Sequence, residues 1–133
     1  MKIEESKYFD KEHKKIEMPY GIFYFFNEFL LSEINQGAHF SWDKVKKVAD
    51  IAQKHYGKGN KVVYISNRVN SYSIEPQSWL KFDKEFGFFK ASAIIAYDMK
   101  GGLSVVLEKL FSQKRIQKFT DLESAIDWAV NYQ

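Results

Sequence analysis

Residues 115–130, RIQKFTDLESAIDWAV, close a stretch that begins at Lys61 and decides the fold class. The segment Arg115–Phe119 is short and apolar enough for a strand. Thr120 and Glu123 then have capping-box spacing, and Leu122, Ala125, Ile126, Ala129 and Val130 fall on one helical side. The same strand-then-helix unit occurs twice before it. Lys61–Ser66 (KVVYIS) is a buried, β-branched strand, followed by a helix that starts near Pro76 and carries Trp79, Leu80, Phe82 and Phe86 on one face. Phe89–Tyr97 (FKASAIIAY) is the central strand. After it, Leu103, Val106, Leu107, Leu110 and Phe111 recur at i, i+3, i+4, i+7, i+8, a helical stripe expected to face the core. Three such units in series predict parallel strands under a helical cover.

The N-terminal quarter reads differently. His13–Met18 pairs with Gly21–Asn27 across the turn Met18-Pro19-Tyr20-Gly21, and Phe29–Ile34 adds a further strand, giving an antiparallel meander. Tyr8 and Phe9 are candidates for an edge strand. Ser41 is placed to cap a helix bearing Trp42, Val45, Val48, Ala49, Ala52 and Tyr56, with Gly57 at its end. The expected fold class is α/β: a mixed sheet of about five strands, meander first and parallel strands after, under about four helices. Residues 1–133 are read as a single domain, since no Gly/Ser-rich linker or repeat interrupts them.

A chain of 133 residues can bury about two-thirds of its unfolded surface. Aromatic residues make up 17%, enough either for a Phe-rich core or for an apolar cleft or contact patch. The net charge of +3 is too small for a concentrated nucleic-acid-binding face, so no nucleic-acid partner is expected. The lysine clusters Lys14–Lys15 and Lys44, Lys46, Lys47 suit a solvated face, or a weak attraction to anionic membrane surface. There is no cysteine, which excludes disulfides, thiolate catalysis and cysteine-type zinc sites. The opening MKIEESKYFD lacks an apolar signal region, and no run approaches a membrane span, so the expected setting is cytoplasmic.

Catalytic signals are weak. His13, His39 and His55 are scattered, and His39 with Asp43 is too small a set for a metal. There is no G-x-S-x-G elbow. Gly57-Lys58-Gly59-Asn60-Lys61 lacks phosphate-loop spacing and precedes a strand, so it reads as a helix stop and tight turn. Gly101-Gly102 offers backbone amides to an anion, or simply a close-packed helix start. No catalytic residue, metal or cofactor is expected. Trp79, Phe82, Phe86, Leu103 and Leu107 form the candidate ligand-binding set: these side chains fill a core or wall an apolar cleft between helices.

The order of elements, the segment ASAIIAYD and the ending Phe119, Thr120, Asp121, Ala125, Ile126, Trp128 resemble the STAS domain, most closely its bacterial SpoIIAA-like subgroup. The likeness spans roughly Gly21 to the end. It implies a non-enzymatic regulatory or protein-interaction module. In the anti-sigma-factor antagonists an Asp-Ser-Ser-Gly segment after the third strand carries a phosphorylated serine. Here Ser66-Asn67-Arg68-Val69-Asn70-Ser71-Tyr72-Ser73 stands in that place, without the Asp and Gly. Ser71 and Ser73 remain as acceptors. Asn67, Arg68, Ser71, Tyr72 and Ser73 are the candidate partner-binding residues, on a loop presented together with the Trp79–Phe86 helix. The SpoIIAA-like resemblance, and the architecturally related lipid-exchange (CRAL-TRIO) domains, imply an alternative: a small carrier that holds an apolar or lipid-like molecule and touches membranes transiently. The free edge of the meander is a candidate for pairing two copies into a homodimer.

Overall fold

The computed structural model describes residues 1–57, 59 and 61–133. Its frame is a six-stranded sheet of β1 (His13–Met18), β2 (Gly21–Phe26), β3 (Phe29–Ile34), β5 (Val62–Arg68), β7 (Phe89–Ala96) and β8 (Ile116–Phe119), side by side in that order. The first three strands are antiparallel; β3, β5, β7 and β8 run parallel. The helices are α1 (Trp42–Tyr56), α2 (Ser78–Glu85), α3 (Met99–Lys109) and α4 (Leu122–Asn131). A second, two-stranded pairing joins β4 (His39–Phe40) to β6 (Ser73–Ile74). The mixed sheet and four helices match the expected class, with one more main-sheet strand than expected.

Alternation along the strands divides the core into two faces. On one, Phe23, Phe25, Leu30, Val62 and Ile94 meet α1, α2 and α3. On the other, Tyr24, Phe26, Leu31, Val63, Ile65 and Ile95 meet α4 and Ile3. The β1–β2 hairpin needs Gly21: a Cβ there would lie 2.8 Å from the Glu33 carbonyl oxygen and 2.9 Å from the Ile34 Cα. The Tyr56 hydroxyl at the end of α1 donates to the Phe26 carbonyl at 2.7 Å, tying that helix to the hairpin.

Three local expectations need correction. Tyr8 and Phe9 lie in a 3₁₀ turn, Lys7–Asp10, not in a strand. They serve as cover: Phe9 packs against His13 and Tyr24, and the Tyr8 hydroxyl donates to Asp127 on α4. The α4 cap is Asp121, not Thr120; its carboxylate accepts from the Ser124 amide at 2.9 Å, which holds that carboxyl below its usual range. α2 starts at Ser78, two residues after Pro76. Gly57 does end α1, at φ +74°, while the tight turn expected over Gly57–Lys61 includes Lys58 and Asn60, outside the described residues.

At the carboxyl end of β3 a buried carboxylate fastens the start of the chain. Glu33 accepts from the Ile3 amide at 2.8 Å and from Asn67 Nδ2 at 2.8 Å, while the Tyr97 hydroxyl donates to Asn67 Oδ1 at 2.7 Å. Burial raises the Glu33 carboxyl above its ordinary 4.5, and these two hydrogen bonds only partly counter it. The folded chain therefore binds this proton more tightly than the unfolded chain. The Glu33 contribution to stability is greatest when the group is protonated and declines as pH rises above 4.5. Glu33→Gln keeps an acceptor oxygen and removes the titration. Its melting temperature should fall less than that of the parent between about pH 5 and about pH 7, measured by thermal unfolding at both.

Candidate functional site

Under α1, α2 and α3 the sheet does not close completely. The cleft left there has a cavity volume of about 60 Å³ and opens to solvent at its mouth. Phe23, Leu30, Val48, Ala52, Phe82 and Phe88 give it an apolar wall. One corner is polar, and β5 builds it. Tyr64, Ser66 and Arg68 alternate onto the cleft side of that strand, and all three line it.

Arg68 is the centre of this corner. Its Nη1 and Nη2 donate to the two Glu108 carboxylate oxygens, each at 2.6 Å, and its Nε donates to Ser66 Oγ at 3.1 Å. Glu108 also accepts from Trp79 Nε1 at 2.8 Å and from Ser104 Oγ at 2.8 Å. The Arg68 side chain is 11% exposed and that of Glu108 0%. Burial alone pulls the guanidinium toward neutrality. The Tyr72 hydroxyl and the Glu108 carboxylate outweigh that, so Arg68 stays charged. Tyr72 lies with its ring 5.7 Å from the guanidinium and its hydroxyl 3.0 Å from Ser66 Oγ. The Ser78 hydroxyl is buried at the same cleft and has no hydrogen-bond partner among the described residues.

Glu108 belongs to α3, and with it α3 faces opposite to expectation. The inward residues are Gly102, Val105 and Glu108. Leu103, Val106, Leu107 and Leu110 point to solvent, exposed by 67, 64, 48 and 77%. A helical stripe reports that a helix has two unlike faces; here the bidentate ion pair determines which face turns inward. The helix starts under an Asp98 cap, whose carboxylate accepts from the Gly101 amide at 2.6 Å.

The candidate residues are thus divided. Arg68, Tyr72, Trp79 and Phe82 meet in the cleft. Phe86 is buried beside them, against Phe82 and Trp42. Leu103 and Leu107 stand outside it. Asn67 faces the other side of the sheet, in the clasp with Glu33. Ser71 and Ser73 are exposed; the Ser71 amide donates to Gln36 Oε1, and Ser73 Oγ lies 2.7 Å from His39 Nδ1. Sequence reading missed Glu108. Two signals pointed to it: it is the one acid among the apolar residues of α3, and Arg68 is one of only two arginines among 20 basic residues. An arginine in a lysine-rich chain suits two-point pairing with a carboxylate.

Among the described residues no three His, Asp or Glu side chains gather as a metal site. No described helix is long and apolar enough to cross a membrane. Removing one member of the ion pair leaves the other buried alone. Glu108→Ala should cost about 3–5 kcal/mol in urea unfolding. The double change Arg68→Met with Glu108→Leu should stay within about 1–2 kcal/mol of the parent, because an apolar pair replaces the ions without leaving a buried charge.

No protein-family model matches the sequence, and no curated protein matches it. Among solved structures, the chain is similar to an uncharacterised DUF3478-family protein with a SpoIIAA-like fold from Shewanella loihica PV-4. The two are 14% identical over 89% of this chain and 92% of that one, with a TM-score of 0.54. At that identity the likeness concerns architecture, and the architecture of this chain is SpoIIAA-like.

Proposed function

We propose that the chain is a non-enzymatic regulatory and interaction module that docks on a protein partner through the outward face of α3. One observation carries this reading. Among the described residues, every exposed large apolar side chain other than Met1 and Tyr97 lies between Met99 and Phe111. Water-facing apolar side chains on one continuous ridge mark a contact surface. Successive helical residues turn by about 100°, so Met99, Leu103, Val106, Leu107 and Leu110 share a side, with Lys100 and Lys109 on its two flanks. A partner groove with an apolar floor and an acidic rim fits that ridge. Ser71, in the loop after β5, and Ser73, at the start of β6, are exposed and remain candidates for modification.

A second reading is supported by the cleft. Its apolar wall and single polar corner suit a small carrier of an apolar or lipid-like molecule. The lysine-flanked ridge would then meet anionic membrane during loading. Native mass spectrometry of the purified protein tests the carrier: a co-purifying lipid-sized mass supports it, and a clean apo mass counts against it.

The docking reading is tested with Leu103→Glu/Leu107→Glu. Both side chains are exposed, so the melting temperature should be unchanged within error. Capture of the partner found with the parent protein should fall by about tenfold or more. Unchanged capture by the double variant would overturn the ridge as the docking surface.

A further inference from the structure

We infer that the cleft takes an anionic amphiphile, an apolar chain ending in a carboxylate, whose head group replaces Glu108 on Arg68 and thereby releases α3. The inference rests on the carrier reading and adds the ligand's chemistry and its effect. Arg68 presents a planar fork to the cleft, and a carboxylate already occupies it at 2.6 Å through both oxygens. That fork accepts any carboxylate on the same terms. The walls that lead away from it are Phe23, Leu30, Val48, Ala52 and Phe82; the one further charged group on the lining, Glu75, accepts from the Trp42 amide at 2.9 Å. They suit a hydrocarbon chain whose only polar end is at Arg68. Tyr72 and Ser78 bring hydroxyls to the same cleft, and the Ser78 hydroxyl has no partner among the described residues.

Glu108 is well placed to be the group displaced. It sits on a helix whose other inward residues are Gly102 and Val105, so its carboxylate is the main tie between α3 and the body of the protein. Buried ion pairs add little net stability over apolar packing, and their best-attested use is to select one arrangement among several. Exchange of one carboxylate for another leaves the charge in the cleft unchanged and breaks no covalent bond. Glu108 then moves into water, and α3 follows it. Trp79, whose indole donates to Glu108 at 2.8 Å, loses that partner and reports the event by its fluorescence. Occupancy of the cleft would thereby set the position of the apolar ridge on the outer side of the same helix.

The test uses dodecanoate and dodecanol, each below its aggregation limit, titrated into the full chain by calorimetry and tryptophan fluorescence. The parent protein should bind dodecanoate about tenfold or more tightly than dodecanol, the difference a charge-assisted two-point contact supplies. The double variant Arg68→Met/Glu108→Leu, which retains a packed apolar corner, should bind the two equally. Amide exchange over residues 99–111 should accelerate when dodecanoate is bound. Equal binding of both molecules by the parent, or a preference for dodecanoate that survives in the double variant, overturns the assignment of Arg68 and leaves the carrier reading standing. Dodecanoate binding without faster exchange in α3 overturns the release. Failure of both molecules to bind overturns the carrier reading as well.

Discussion

Two charged side chains, Arg68 near the end of a parallel strand and Glu108 near the end of α3, meet out of water in a two-point contact, and the shape of one whole face follows. With the carboxylate held inward, the leucines of α3 are turned outward. With Trp79 also donating to that carboxylate, α2 is tied to the same point. The cleft lies between these helices, held at the polar corner, and Phe23 and Leu30 of β2 and β3. The ion pair selects this arrangement of α3 at little or no gain in net stability over apolar packing.

The two sides of the sheet are built to different standards. Against α4 the packing is continuous: Leu122, Ala125, Ile126 and Ala129 lie on Val63, Ile65 and Ile95, and Ile3 fills the remaining corner beneath the Glu33 clasp. Against α3 it is partial, with Gly102, Val105 and the Glu108 carboxylate turned inward, and beside it the aromatic packing of α2 is interrupted by hydroxyls. Tyr64, placed between Ser32 at 2.7 Å and the ring of Trp79, is typical: an apolar body with a polar tip that needs a partner. Regions with few inward apolar contacts open at lower free energy than the rest of a domain, so movement is expected on this side and rigidity on the other.

Much of the frame was legible in the sequence because it depends on local rules. His13–Met18 and Phe29–Ile34 form the strands that alternation and turn residues predict, and the α4 stripe packs as its spacing implies. What escaped depends on contacts between distant residues. The apolar spacing of α3 does not show that a carboxylate 40 positions from Arg68 turns inward; only the isolated acid among apolar residues hints at it. Nothing local shows that β5 continues through Arg68 because Asn67 and Arg68 pair with Ile95 and Ala96, which places two expected loop residues on opposite faces of a strand. The β4–β6 pairing is two residues long on each side, below the length at which a period can be read.

The rims of the sheet have a further consequence. β1 at one end exposes Lys14, Lys15 and Glu17, with Lys15 and Glu17 paired across 3.3 Å, and β8 at the other exposes Lys118. A strand laid along either rim must shed the hydration of these ammonium groups before it gains a ladder of hydrogen bonds. Filament growth and amyloid-type stacking are hindered at both margins.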